Sequence, residues 1–156
     1  MSTSIIEKMF TQKPASKEAF RQYITIVEEA MKQLPNAVYR DDPRTPLVHR
    51  WADGLYIREI TIPAGYLLTT GIHAQQHVAI VSKGRCLVAS EEGVKEVKAG
   101  DTFITEPGTK RLIFVRETIQ WTTVHACTET ELDRVMEQIE FKDFEACDSA
   151  LLEVLK

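Results

Sequence analysis

Gly65-Tyr-Leu-Leu-Thr-Thr-Gly71-Ile-His73-Ala-Gln-Gln-His77-Val-Ala-Ile-Val-Ser-Lys-Gly84 is the stretch on which the reading of this chain turns. It opens and closes on glycine and carries two histidines four residues apart. Its apolar residues fall in runs too short for a helix but suited to strands. After fifteen more residues come Gly100-Asp101, Glu106-Pro107-Gly108 and Arg111. The same pattern extends in both directions. Between Leu55 and Cys127 the chain reads as short β-rich runs at 55–62, 66–70, 77–82, 86–90, 94–97, 102–105, 111–115 and 119–126. Turn signals separate them at Pro63-Ala64-Gly65, Ser82-Lys83-Gly84, Glu91-Glu92-Gly93, Gly100-Asp101 and Pro107-Gly108, where glycine supplies the positive φ that tight connections need. Eight short strands at this spacing predict a sandwich or a barrel.

Outside the β-rich region the period changes. From Ser16 to Leu34 the residues Phe20, Tyr23, Ile24, Val27, Ala30, Met31 and Leu34 recur at three-and-four spacing, with Ser16 as N-cap and Pro35 as a stop. The Asp41–Pro46 hexapeptide, with two prolines and three charges, reads as a connector. After Cys127, Thr128 and Glu131 fit a capping box, and Leu132, Val135, Met136 and Ile139 make one apolar face. The tail, Phe141 to Lys156, has too many apolar groups to leave in water, so it packs on its own barrel or meets a second subunit. The chain therefore divides into a helix and connector over 1–50, a barrel over 51–127 and a helical segment over 128–156, all within one structural domain.

The two glycine frames resemble those of the cupin family. The first cupin motif has a glycine, five residues, His-x-His, three or four residues, a glutamate, six residues and a glycine, a frame that Gly65 to Gly84 reproduces. The second has a glycine, five residues, Pro-x-Gly, two residues and a histidine, and here runs from Gly100 through Gly108 to Arg111. The resemblance covers about half the chain. It implies a mainly β fold, a cupin-like double-stranded β-helix or jelly-roll barrel, with the N-terminal helix and the C-terminal helical segment added. It also implies a homodimer. At the positions of the four cupin metal ligands this chain has Gly71, His73, His77 and Arg111, and Glu106 stands where the second motif usually has proline.

The frame is thus kept better than the metal chemistry. His73 and His77 share one face if the segment between them is extended. Two ligands rarely suffice for a transition metal such as Fe, Zn, Ni or Mn; His125, Glu106, Gln75 and Gln76 are the completers available, with His125 in the alternation Trp121, Thr123, His125, Cys127. Arg111 has a definite sign: a guanidinium repels a bare cation, but its planar fork suits carboxylate or phosphate. A pocket of His73, His77, Arg111 and Glu106 accordingly suits a small polar or anionic molecule. One alternative is a metal-dependent cupin enzyme of oxygenase, isomerase or lyase type on His73, His77 and His125. Another is a non-catalytic assembly module, and the plain structural alternative pairs Arg111 with Glu106 or another carboxylate at the barrel rim. His49 reads as structural, and Trp51 and Trp121 as core.

Composition narrows the classes further. The 156 residues are 44% hydrophobic and 27% charged, the size and balance of one globular domain. With 19 basic and 23 acidic residues and no charged run, the chain is not built for nucleic acid. No apolar run approaches a membrane span, and Glu7 and Lys8 interrupt the leading stretch Met1–Lys13 where a secretion signal would be apolar, so a cytoplasmic protein is expected. Cys86, Cys127 and Cys147 are odd in number and widely spaced, which argues against a disulfide framework. Nucleophile elbows, P-loops and dinucleotide fingerprints are absent from the sequence.

Overall fold

The computed structural model describes residues 3–10 and 13–156; residues 1, 2, 11 and 12 of the leading stretch lie outside the described residues. Two helices come first, α1 (Thr3–Met9) and α2 (Lys17–Lys32), followed by eight strands: β1 (Leu47–Ala52), β2 (Leu55–Ile62), β3 (Leu67–Thr69), β4 (Ile72–His73), β5 (His77–Ser90), β6 (Gly93–Lys98), β7 (Thr102–Thr105) and β8 (Leu112–Ala126). The chain ends in α3 (Leu132–Ile139), β9 (Glu140–Phe141) and α4 (Phe144–Val154). None of the described helices is long and apolar enough to cross a membrane.

The glycine at 84 does something other than expected. The sequence reading places a turn at Ser82-Lys83-Gly84, but β5 runs straight through it, and β8 likewise joins two expected strands into one. Gly84 holds φ at +77° in the middle of β5, where the register against β8 shifts between Val81, Lys83, Arg85 and Cys86. The positive φ makes a bulge, which bends a strand without reversing it. Because β8 pairs with β5 on both sides of this point, the two strands bend together. Before the bend β5 lies between β7 and β8, and the second half of β8 is edged by β2 and then β1. Beyond it β5 lies between β6 and β8, and the first half of β8 is edged by β3.

One strand pair thus passes from one antiparallel layer into the other, which is the double strand of a double-stranded β-helix. The core lies between the layers and comprises Ile62, Ala79, Val81, Cys86, Val88, Val97, Ile113, Val115, Ile119 and Trp121. Alternation along each strand places these side chains inside. Burial also pushes the Cys86 thiol up to about 12, which makes it an inert core group.

The helices close the open parts of this barrel. The Ser16 side chain accepts from the Ala19 amide at 3.0 Å to start α2, whose Phe20 and Ile24 pack with Ile6, Phe10, Ala89 and Leu112. The capping box expected at Thr128 and Glu131 is not formed: Glu131 is the N-cap and makes no side-chain cap bond. Packing decides that boundary instead, since a helix starting at Leu132 lays Val135 and Ile139 on Tyr56 and Cys127. The tail divides. Phe144 packs with the α2 cluster and Arg21 bonds Asp148 at 2.8 Å, whereas Leu152, Val154 and Leu155 are exposed.

Candidate functional site

Between the barrel and the connector that follows α2 lies a cavity of about 930 Å³ whose wall includes His73, Arg111, Trp121, Thr123, Arg58 and Glu140. His73 comes from β4 and His77 opens β5, with a turn, not one extended strand, between them; their rings lie 4.6 Å apart. The alternation from Trp121 to Cys127 points inward, each member being buried, and brings the His125 ring to 4.2 Å from His77. The row continues through the Tyr56 ring, 5.9 Å from His125, to His49, whose Nδ1 is 2.6 Å from the Tyr56 hydroxyl. All four histidines therefore belong to one line of rings that starts in the cavity.

Within this line each of the three inner imidazoles keeps one ring nitrogen buried without a partner among the described residues: Nδ1 of His73, Nε2 of His77 and Nδ1 of His125. His77 Nδ1 donates to the Gln75 carbonyl at 3.1 Å. Its Nε2 is therefore an acceptor in the neutral ring. His125 Nε2 meets the Thr123 hydroxyl at 2.9 Å. Burial, then the neighbouring His77, Arg111 and Arg58, pushes the His73 imidazole down to about 2. Burial, His77 and Arg58 bring His125 down to about 3, and His77 is lowered chiefly by burial. All three are neutral at pH 7.

A testable acid sensitivity follows. Each folded value lies below the ordinary 6.5, so the unfolded chain takes up protons first. The resulting stability is present above pH 6.5 and drains away as the pH falls toward the folded values. For His73 alone the slope is about 1.4 kcal/mol per pH unit. Denaturant titrations at pH 7 and pH 5 are expected to show a large loss in the wild type, reduced by about 2 kcal/mol in His73→Gln. An equal loss in both proteins means that His73 titrates normally in the fold.

Arg111, just ahead of β8, is 7% exposed. Its Nη2 donates to the Thr105 hydroxyl at 2.9 Å, and its guanidinium carbon lies 5.3 Å from the Phe103 ring centroid. The rim pairing that the structural alternative requires is not formed among the described residues. Glu106 points to solvent, outside the cavity wall, and accepts from Gln76 at 2.9 Å; among the described residues no carboxylate forms an ion pair with Arg111. Burial holds its guanidinium down at about 10. Of the residues picked from sequence as ligand-binding, His73 and Arg111 line the cavity and His77 stands behind His73.

Two groups were not foreseen. Arg58 occupies an inward position of β2, in step with buried Tyr56 and Ile62, and Glu140 is placed by β9, where it pairs with His73 across β4. A charge on the apolar parity of a strand is the signal that marks Arg58. Glu140 has no such signal. Its carboxylate receives Arg58 at 3.3 Å and Arg40 at 2.7 Å and lies against Gly71, where a Cβ would be 2.6 Å from Glu140 Cδ.

The metal that the cupin frame implies does not fit this set. The rings of His73, His77 and His125 pack on one another, and among the described residues no three His, Cys, Asp or Glu side chains are gathered to hold an ion. Gly71 offers no donor, and Arg111 and Arg58 bring positive charge where a cation would need the opposite.

No protein-family model matches the chain, and no curated protein matches it either. Among solved structures it is similar to an RmlC-like cupin family protein with a double-stranded β-helix fold from Methanocaldococcus jannaschii (18% identity, 57% of this chain and 85% of that one, TM-score 0.46). A cupin-2 domain containing protein from Shewanella frigidimarina is similar at 10% identity, over 57% of this chain and 85% of that one, with TM-score 0.44. A cupin superfamily protein from Desulfitobacterium hafniense matches at 8% identity, over 60% of this chain and 88% of that one, with TM-score 0.47. The bent β5–β8 pair and the two antiparallel layers make this chain, on its own topology, a double-stranded β-helix barrel with helices at each end.

Proposed function

We propose that the barrel cavity binds a small polar or anionic molecule, with Arg111 as the charge anchor and His73 as a hydrogen-bonding neighbour. The observation that carries this reading is a guanidinium buried in the barrel whose hydrogen-bond partner is the Thr105 hydroxyl and which, among the described residues, forms no ion pair with a carboxylate. Burying an uncompensated charge is costly, and a ligand of opposite charge would offset that cost. The unpartnered nitrogen of His73 adds a polar contact beside it, and Trp121, Ile113 and Ile119 give the apolar part of the wall.

The test is calorimetric titration with acetate, succinate and inorganic phosphate at pH 7.5. Binding of at least one of these is expected, weakened about tenfold or more in Arg111→Gln and to a smaller degree in His73→Ala. Unchanged affinity in Arg111→Gln, in a variant with wild-type secondary structure, overturns the proposal.

A further inference from the structure

The charges around the cavity define the ligand class more closely, on the assumption that the cavity binds an anion at all. Several charged residues of its wall have an ion-pair partner close by: Lys110 with Glu28, Lys32 with Glu29, and Arg44 with Asp42. Asp41 and Lys142 also line the wall, one charge of each sign. What remains is Arg111, Arg58 and Arg40 against the single carboxylate of Glu140.

These groups form two separate centres. Arg111 is bonded to Thr105 at the end of β7, whereas Arg58 and Arg40 converge on Glu140 at β9. Arg58 and Glu140 are both largely buried, with side chains 15% and 14% exposed. A carboxylate holding two guanidiniums leaves one positive charge over, and Arg111 contributes another. His73 belongs to both surroundings. It pairs with Glu140 across the β4–β9 ladder, and Arg111 and Arg58 are the two arginines whose fields act on its ring.

We infer that the cavity takes a dianion with two separate acidic groups, a small dicarboxylic acid in its simplest form. One group rests on Arg111 and the other on the Arg58–Arg40 pair. Glu140 fixes the spacing of that pair and limits its net charge to a single positive unit. Gly71 adjoins the same device: a Cβ there would lie 2.6 Å from Glu140 Cδ, so the carboxylate would have to shift from its place between the two arginines.

The experiment compares acetate with malonate, succinate and glutarate by calorimetry at one pH and ionic strength. At least one diacid is expected to bind about tenfold more tightly than acetate, the effect of one added charge-assisted contact. In Arg58→Gln that preference falls to about threefold or less. Arg40→Gln, at a side chain that is 43% exposed, gives the same direction of change without risk to the fold. Glu140→Gln is expected to strengthen diacid binding, a sign that a merely structural role does not produce. A diacid preference that survives both arginine substitutions overturns this inference and leaves the anion reading standing. Loss of acetate and diacid affinity together in Arg111→Gln supports the underlying reading; absence of binding by all four acids overturns this inference, and absence of phosphate binding as well overturns the underlying reading too.

Discussion

Alanine at position 84 is expected to destabilise this protein by about 4 kcal/mol or more, a large share of the roughly 5–15 kcal/mol of net stability usual for one domain. Two effects add. Gly84 holds φ at +77°, where an L side chain costs about 1–2 kcal/mol. The second effect is larger. A Cβ built there lies 2.1 Å from the Thr118 carbonyl oxygen and 2.6 Å from that of Glu117, and both are backbone atoms of β8. Side chains can swing away from an intruding methyl, but a paired strand can yield only by opening its ladder. The opening would fall at the bend where β5 and β8 pass from one layer to the other. Gly100→Ala is the control: its φ is +97°, yet nothing lies within 4 Å of a Cβ there, so conformational strain acts alone. Denaturant midpoints are expected to drop far more for Gly84→Ala than for Gly100→Ala. Equal losses mean that the contact with β8 has no energetic weight.

The same glycine shows which part of the fold was legible in the sequence. Residues that act locally announced themselves: Ser16 caps α2, the Leu55–Ile62 alternation is β2, and Pro107-Gly108 turns where the spacing places a turn. Glycine at 84 signals a positive φ but not whether the chain reverses or only bends, because that depends on the partner strand. Hence two long strands read as four short ones. The site divides along similar lines. The sign of Arg111 needed only the chemistry of guanidinium, and the inward course of His125 needed the strand's pairing. Arg58 stood on an apolar parity and was open to reading. Glu140 was not, since its place depends on where α3 stops, and α3 is positioned by its packing on Tyr56 and Cys127.

A protein that buries a charge to hold a ligand should become more stable when the charge is removed, and Arg111→Met is the substitution that tests this. Burial lowers the guanidinium from its ordinary 12.5 to about 10, a penalty on the order of 3 kcal/mol at any pH below that value. Against its relief stands the Thr105 hydroxyl, 1% exposed, which loses its donor at a cost of about 1–3 kcal/mol. Methionine fills most of the same volume with a flexible apolar chain and keeps contact with Phe103. The balance favours the variant by about 1 kcal/mol in ligand-free buffer. Adding an anion reverses the order. At a hundred times its Kd the wild type gains about 2.7 kcal/mol, and the variant, binding about tenfold more weakly without the anchor, gains about 1.4 kcal/mol at the same concentration. Thermal melts with and without the tightest-binding acid are expected to cross in this way. If Arg111→Met is instead less stable than the wild type by more than about 1 kcal/mol without ligand, the guanidinium is already satisfied within the fold, and Arg111 is a structural residue, not an anchor.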